Sequence, residues 1–400
     1  MGRLIWPTTR GWVVALGMLA WLAIALVNHG VFPLFLMWFC LALLLVSLVY
    51  AIFSLQGVTV RRAAYGRAVA GQMLSLPLKI SNRSRWKTQA LVVQEKMAFT
   101  LEGTDIQAIP SVASHSELFF DRKVLPIRRG EYPLDILVLR SGDPAGLFRS
   151  ERRFRISGSL VVYPPAEQLS DLNLHQFESL SLASGRPVTA TGVSQDFFGV
   201  REYAPSDGMR FIHWKSSARF GRLMVKEFER VSVTSVAILL DADKESVNDS
   251  EWSNLEYLIR VAASICVTCA EMDCTLAVVT GGDKPLTIPP TPAGECCEEA
   301  LYRLATMSPG KTSLSILIEE TARTLPRNTV VFCLSLSAEG PALLHALAGL
   351  RDAGMDVRWY CADKEGFTGQ PAKGERKHGD LARPVPLTSG QSIAKALEVW

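Results

Sequence analysis

The chain has 400 residues, more than one ordinary domain holds, so two or three domains are expected. Its formal net charge is only +3, and bulk charge therefore does not indicate a nucleic-acid-binding protein. One of the eight cysteines is Cys40 and the other seven follow residue 265, which predicts free thiols in a reducing compartment and excludes the pattern of a disulfide framework.

An uncharged apolar run covers residues 11–60. No Asp, Glu, Lys or Arg occurs in this stretch, and a helix needs about 20 residues to cross the hydrocarbon core of a bilayer. Asn28-His29-Gly30 predicts a turn, so we expect transmembrane helices over about 11–28 and 32–54, in a hairpin domain of residues 1–56. A cleaved signal peptide is the alternative, but no small-residue cleavage site separates the two apolar segments.

Basic residues flank both ends of this predicted hairpin. Arg3 and Arg10 precede it, Arg61, Arg62 and Arg67 follow it, and its turn contains no Lys or Arg. Because Lys and Arg near membrane helices stay on the cytoplasmic side, we expect both ends, and all that follows, in the cytoplasm. The sequence thus predicts a multi-pass protein of the cytoplasmic membrane.

Residues 57–165 have the pattern of short strands. Runs such as LSLPLKI, ALVVQEK and YPLDILVLR are rich in β-branched and aromatic residues, and turn signals such as Ser81-Asn82 and Arg129-Gly130 separate them. Several short strands at regular spacing are typical of an antiparallel β-sandwich. We therefore predict a β-sandwich domain over 57–165.

The remaining chain changes character twice. Residues 166–230 begin as a polar segment without periodicity, which predicts a linker or an irregular excursion, and continue with a distinctive phrase. From 231 to 400, buried strands such as SVAILLDAD and NTVVFCLSLS alternate with helical patterns such as LEYLIRVAASICVTCAEM. This alternation predicts an open parallel α/β sheet.

The phrase GVSQDFFGVREYAPSDGMRFIHWKSSARFGRLMVKEFER at 192–230 carries the most information. It resembles the signature of the bacterial domain-of-unknown-function 58 family, as do RRGEY at 128–132 and DPAGLF at 143–148. Ser206 stands where that family usually has Gly. The positions that match the signature, in order, are Phe198, Gly199, Arg201, Tyr203, Pro205, Asp207, Arg210, Ile212, Trp214, Lys215, Ala218, Arg219, Leu223, Val225, Lys226, Phe228 and Glu229.

The resemblance implies a von Willebrand A-like, Rossmann-like fold for residues 231–400. It also implies a bacterial inner-membrane protein often encoded beside AAA+ ATPases of the MoxR type. It implies no known reaction.

Within the signature, Ser206 or Asp207 is suited to cap a helix from Gly208 to about Phe220. Lys215 and Arg219 lie four residues apart and share a face of that helix, where like charges need compensation. Internal pairing with acidic residues is one interpretation; an acidic surface of a partner protein and a phosphate or nucleic-acid contact are the others. We expect a core position for Trp214, and a mainly structural role for the set Arg201, Tyr203, Asp207, Arg210 and Trp214.

Asp241 ends a buried strand, where open α/β sheets place ligand sites. In von Willebrand A domains the same position begins a D-x-S-x-S metal motif. Here Asp243 and Glu245 occupy the serine positions, Thr312 is the candidate for the later Thr, and Ser335 and Ser337 stand where a later Asp is expected. Hard cations such as Mg²⁺ or Ca²⁺ accept such oxygen ligands, but the motif is degenerate, and the alternative is a strand-end Asp that caps the next helix.

Cys266 and Cys269 form a C-x-x-C in an apolar helical pattern without a second ligand pair, which favours buried thiols over a zinc site. The sequence shows no phosphate-binding glycine loop and no nucleophile elbow. We therefore expect no catalytic residues, no nucleic-acid partner and no cofactor. The favoured hypothesis is a membrane-tethered scaffold that binds a protein partner such as an AAA+ ATPase. The alternative is a metal-dependent hydrolase with its site at Asp241 and Asp243.

Overall fold

The chain divides into two units, Met1–Pro165 and Ala166–Trp400, in the computed structural model. The structure describes residues 3–28, 30–88, 91–169, 172, 174, 197–203, 212–228, 235–248, 253–312, 314–338, 341–367 and 384–397.

Two apolar helices, α1 (Thr9–Asn28) and α2 (Val31–Ser54), form the hairpin near the N-terminus. At 1.5 Å per residue they are about 30 and 36 Å long, enough to cross a bilayer core. In their most apolar windows only 11% and 6% of the residues are buried. This exposure distinguishes them from the core helices of a soluble domain.

A strand that the sequence analysis missed precedes the hairpin. Residues Arg3–Pro7 form β1, which pairs antiparallel with β10 (Phe148–Arg155), so that Arg3 lies opposite Arg152 and Pro7 opposite Phe148. Five residues are too short to show a strand period, and the pairing partner is far away in sequence. The chain thus enters and leaves the hairpin from the same β domain.

Nine further strands complete the N-terminal unit. They are β2 (Val58–Arg62), β3 (Ala68–Val69), β4 (Leu74–Asn82), β5 (Leu91–Lys96), β6 (Thr104–Ile109), β7 (Ser116–Val124), β8 (Gly130–Pro133), β9 (Ile136–Gly142) and β11 (Ser159–Tyr163). Their order is β1-β10-β9-β5-β6 in one sheet, β2-β4-β7 in a second and β3-β11-β8 in a third. Every pair in these sheets is antiparallel except β3 with β11.

The first two of these sheets share one hydrophobic core. Alternate residues of β4, including Leu78 and Ile80, pack with alternate residues of β5 and β9, including Val93 and Leu139. This alternation follows from the two-residue period of a strand, which sends successive side chains to opposite faces. The predicted several-stranded antiparallel architecture is therefore present.

Polar contacts tie both ends of the hairpin to the β domain. One guanidinium nitrogen of Arg152 donates to the carbonyls of Leu55 and Val58, both at 3.0 Å, just past the end of α2. At the start of α1, the Thr8 hydroxyl donates to the Gly146 carbonyl at 2.6 Å. A Cβ on Gly11 would lie 2.3 Å from the Leu147 carbonyl oxygen, so this close approach requires glycine.

The C-terminal unit begins with a hairpin of β12 (Phe197–Glu202) and β13 (Met224–Phe228), with helix α3 (Trp214–Phe220) between them. Its remaining strands are β14 (Ser235–Leu240), β15 (Thr275–Thr280), β16 (Leu286–Pro292), β17 (Val330–Ser335), β18 (Asp356–Cys361) and β19 (Val385–Pro386). Its remaining helices are α4 (Asn254–Glu271), α5 (Ala293–Thr306), α6 (Leu314–Thr321), α7 (Pro341–Asp352) and α8 (Ile393–Leu397).

The last six strands form one sheet in the order β16-β15-β14-β17-β18-β19. All neighbours are parallel except the edge strand β16, which runs antiparallel to β15. Helices α6 and α7 pack with Ala237, Leu239 and their neighbours on one face. Strand β16 was not predicted because prolines interrupt it. An edge strand tolerates proline, since its outer side needs no ladder hydrogen bond.

The polar segment after residue 165 begins with residues that are hydrogen-bonded to α4 and β18. The N–H groups of Glu167 and Leu169 donate to the hydroxyls of Ser264 (2.9 Å) and Thr268 (3.3 Å) on α4. Buried Arg358 on β18 donates to the Leu172 carbonyl at 2.6 Å. The first part of the segment is therefore hydrogen-bonded to the C-terminal unit, whereas residues 175–196 lie outside the described part.

Candidate functional site

Asp241 lies at the carboxyl end of the central strand β14, between β15 and β17. One carboxylate oxygen accepts the N–H of Asp243 at 3.1 Å and the other accepts the N–H of Leu336 at 3.3 Å. Burial raises the pKa of the Asp241 carboxyl, and these N–H donors oppose that rise. Strands on the two sides of β14 are reached by connections in opposite directions, so Asp241 occupies the topological switch point where such sheets bind ligands.

The residues after Asp241 turn toward solvent. Asp243 is half-buried and accepts a hydrogen bond from the Ser246 hydroxyl at 3.0 Å. Lys244 and Glu245 are exposed in a short 3-10 turn over Lys244–Ser246. The negative charge that Glu245 adds to the motif is therefore solvated.

Three loops, which contain Ala242, Gly282 and Gly310, are hydrogen-bonded to one another at this corner and are called the meshed loops below. The Gly310 N–H donates to the Ala242 carbonyl at 2.9 Å, and the Lys244 N–H donates to the Gly310 carbonyl at 2.8 Å. The Thr312 hydroxyl donates to the Gly282 carbonyl at 3.1 Å. The structure thus brings the loop of Thr312 beside Asp241 and Asp243, and it does so through glycines that the sequence analysis did not single out.

Ser335 and Ser337 stand where the later Asp of the metal motif was expected. Ser335 is buried, and its hydroxyl accepts the indole N–H of Trp359 at 2.9 Å. In the described ranges no group of three or more His, Cys, Asp and Glu side chains has an arrangement that could hold a metal ion. The carboxylates of Asp241 and Asp243 and the hydroxyl of Thr312, the three predicted ligand groups, are each already engaged in hydrogen bonds within the protein.

We expect added Mg²⁺ or Ca²⁺ to leave the melting temperature of the metal-stripped full-length protein nearly unchanged, since Asp241 already accepts two backbone N–H groups. Differential scanning fluorimetry in detergent checks this, with Asp241→Ala as the control. A site filled at a hundredfold excess over its Kd would stabilise by about 2.7 kcal/mol. A shift of that size, lost in Asp241→Ala, would contradict the expectation.

The signature segment forms the β12–β13 hairpin, in which the backbone of Arg201 pairs with Val225. The Tyr203 N–H donates to the Leu223 carbonyl at 2.9 Å, and Tyr203 is half-buried. Asp207 and Arg210 lie outside the described residues, as does the side chain of Arg201. The hairpin was not predicted because its two strands are separated by a helix in sequence.

The helix within the signature is shorter than predicted. Ile212 forms a bridge with Val225, which keeps it extended, so α3 begins at Trp214 rather than Gly208. His213 is the N-cap, and its ring Nδ1 accepts the Ser216 N–H at 3.3 Å. The expected caps, Ser206 and Asp207, precede this bridge and lie outside the described residues.

Helix α3 packs on the β12–β13 hairpin through Ser217. The Ser217 hydroxyl donates to the His213 carbonyl at 3.1 Å and accepts the Met224 N–H at 2.8 Å. At 100° per residue, Lys215 and Arg219 lie about 160° from Ser217 and therefore point away from the hairpin, whereas Trp214, in the first turn, lies about 60° from Ser217. Trp214 is 69% exposed, so the expectation of a core position is wrong.

Charge pairing at α3 is limited. Arg222, which lies just after α3, pairs with Glu202 at 3.0 Å. Lys215 and Arg219 are exposed and have no acidic partner within the described ranges. Trp214, Lys215 and Arg219 are called the α3 face below.

Cys266 and Cys269 are buried in α4, as the sequence predicted. Burial raises the pKa of the Cys266 thiol well above its ordinary value. These groups are therefore protonated core residues at neutral pH.

Comparison with known proteins gives one family match. Residues 199–350 match the family described as "Protein of unknown function DUF58". The uncharacterized protein YeaD of Bacillus subtilis is 30% identical over 141 residues, which is 35% of this chain and 33% of YeaD. This chain thus aligns with about a third of that relative's length.

Similarity to solved structures is low. A crystal structure of an aerotolerance-related membrane protein from Bacteroides fragilis is 15% identical, covering 41% of this chain and 95% of that one, with a TM-score of 0.31. The ASH / PapD-like domain of human CEP192 is 15% identical, covering 26% of this chain and 86% of that one, with a TM-score of 0.18. Neither score defines a shared fold.

The match begins within the signature and continues through the meshed loops into α7. The resemblance drawn from residues 198–229 is thereby confirmed: residues 199–350 of this chain match the DUF58 family.

Proposed function

We propose that this chain is a membrane-tethered scaffold whose C-terminal unit binds a protein partner through the α3 face. The observation that supports this most directly is the exposure of Trp214 together with Lys215 and Arg219, on a helix whose one buried residue is Ser217. Large aromatic and basic side chains are the groups that most often dominate binding at interfaces. A scaffold is favoured over an enzyme because the oxygens of Asp241 are committed to backbone N–H groups.

The tether is a two-pass hairpin in the bacterial cytoplasmic membrane, with both soluble parts in the cytoplasm. Pairing of β1 with β10 supports this, since it requires the two ends of the hairpin to lie on one side. Arg10, Arg61 and Arg62 flank those ends, and the turn has no Lys or Arg.

A reporter fused after Trp400 tests the orientation. We expect activity from a reporter that works only in the cytoplasm and none from one that works only outside it. The same pair of reporters inserted at the turn near Gly30 should give the reverse result. Activity outside the cytoplasm at Trp400 would contradict the proposal.

Two cations without a described counter-charge favour an acidic partner surface. Lys215 and Arg219 lie on the same side of α3, and a partner carboxylate group would offset their mutual repulsion. The resemblance adds one candidate, an AAA+ ATPase of the MoxR type. The β14–β19 sheet supports a von Willebrand A-like classification through its strand order, its antiparallel edge strand and its strand-end Asp241.

The α3 face is tested by the triple variant Trp214→Ala, Lys215→Gln and Arg219→Gln in the full-length protein. We expect binding to the purified MoxR-type ATPase of the same bacterium to weaken roughly 10- to 100-fold. Stability should change by less than about 0.5 kcal/mol, because all three side chains are exposed. Isothermal titration calorimetry and thermal melting measure the two quantities.

A matched control variant removes two cations and one apolar side chain from another exposed part of the C-terminal unit. Lys311, Ile316 and Arg323 are also exposed and supply two cations and one apolar side chain. The variant Lys311→Gln, Ile316→Ala and Arg323→Gln should bind like wild type. Equal losses in both variants, or no binding by wild type, would contradict the proposal.

A further inference from the structure

The loop after β4 lies against the residues that leave the membrane hairpin. The Arg83 N–H donates to the Gly57 carbonyl at 3.0 Å. A Cβ on Gly57 would lie only 3.0 Å from the Ser84 nitrogen. Gly57 follows closely on Ser54, the last residue of α2, so the loop is held at the point where α2 ends.

Strand registers place the same loop at the hairpin end of the β domain. Val58, the first residue of β2, lies opposite Asn82, the last residue of β4, and Asn82 lies opposite Ser116, the first residue of β7. Pro7 lies opposite Phe148 at the start of β10. Residues 83–88, 110–115 and 143–147 therefore share the end of the domain from which both helices leave.

These loops are basic. Arg83, Arg85 and Lys87 are exposed, and Trp86 between them is 74% exposed. In the described part of the three loops the one acidic residue is Asp143, which is buried and accepts the N–H groups of Ala145 and Phe148. The solvent-facing charge at this end is therefore positive.

The loop has a defined shape before any ligand binds. The buried Asn82 amide donates to the carbonyls of Trp86 (2.8 Å) and Ala113 (3.0 Å). Its oxygen accepts the Ser84 N–H at 3.0 Å, and the Ser84 hydroxyl donates to the Trp86 carbonyl at 2.8 Å. Such preorganisation lowers the entropy lost when the loop binds.

We propose that this basic loop, residues 83–87, binds the head groups of anionic phospholipids in the leaflet where the hairpin ends. Arginine matches phosphate oxygens with paired N–H donors, and tryptophan favours the interface between head groups and acyl chains. A partner protein is disfavoured because the loop lies where the apolar surface of α2 meets the β domain, at the level of the head groups. The inference rests on the proposed membrane insertion of the hairpin.

Lipid titration of the full-length protein in neutral detergent tests this. Native mass spectrometry measures the apparent Kd for phosphatidylglycerol and for phosphatidylcholine with the same acyl chains. We expect wild type to prefer phosphatidylglycerol, and Arg83→Gln, Arg85→Gln, Lys87→Gln to lose that preference. The loss should be roughly fivefold per cation, and at most on the order of a hundredfold for all three.

The matched control is Lys96→Gln, Lys123→Gln, Arg128→Gln, which removes three exposed cations from the opposite end of the same strands. It should keep the wild-type preference. An unchanged preference in the loop variant, an equal loss in the control, or displacement of the lipid by inorganic phosphate would overturn the inference.

Flotation separates this inference from the proposed tether. Wild type and both variants should float with pure phosphatidylcholine liposomes after an alkaline wash, because the hairpin alone anchors them. Retained flotation with no lipid preference overturns the role of the loop and leaves the tether intact. Failure of the wild type to float would contradict both the membrane tether and the lipid-binding role of the loop.

Discussion

Replacing Glu95 by Gln should lower the free energy of unfolding of the N-terminal unit by about 3–5 kcal/mol. Glu95 is buried between two guanidinium groups, those of Arg62 and Arg122. The Glu95–Arg122 distance is 2.8 Å, and Arg122 also reaches Asp105 at 3.3 Å. Burial lowers the pKa of Arg62, and the Glu95 carboxylate opposes this effect.

This loss of stability arises because glutamine keeps the shape of Glu95 but removes its charge. Both guanidinium groups stay buried without that carboxylate, and Asp105 is the carboxylate that remains beside Arg122. Native-state hydrogen exchange in β4 and β5 measures the stability of this unit directly. Glu117→Gln is the matched control, since it breaks the Lys79–Glu117 pair of 2.7 Å, whose side chains are 35% and 50% exposed. That pair should contribute at most about 1 kcal/mol. Equal effects of the two variants would show that burial adds nothing to the contribution of the Glu95 network.

Gly310→Ala should destabilise the C-terminal unit by about 2–3 kcal/mol. A Cβ at this position would lie 2.0 Å from the Gly282 carbonyl carbon and 2.1 Å from the Asp283 nitrogen. Both atoms belong to the backbone, so no side-chain rotation relieves the overlap. The loops that hold Asp243 and Thr312 must separate instead.

Gly294→Ala is the control for this substitution. Gly294 lies in α5, and a Cβ added there would meet nothing within 4 Å. Alanine favours a helix over glycine by up to about 1 kcal/mol, so this variant should be neutral or slightly more stable. Thermal melting of both variants distinguishes a steric effect at the meshed loops from a general effect of replacing glycine. A Gly310→Ala protein that melts like wild type would contradict the account of the meshed loops.

Sequence alone determined the features that depend on local pattern. The uncharged run over 11–60 predicted α1 and α2 almost to their ends, because hydropathy is a sum over neighbouring residues. Alternating strands and helices predicted the parallel sheet around β14, since buried parallel strands are apolar on both faces. The signature at 198–229 predicted the DUF58 match of residues 199–350 for the same reason, because its information lies in consecutive residues.

Tertiary structure decided everything that depends on a distant partner. β1 exists because Arg3–Pro7 finds the edge of β10, a pairing that no local period indicates. Lys215 and Arg219 face outward because Ser217, on the opposite side of α3, binds the helix to β13. The exposure of Trp214, in the first turn of the same helix, is likewise visible only in the structure. The basic loop at Arg83 lies beside the end of α2 through its contact with Gly57, a neighbour that no local pattern in the sequence indicates.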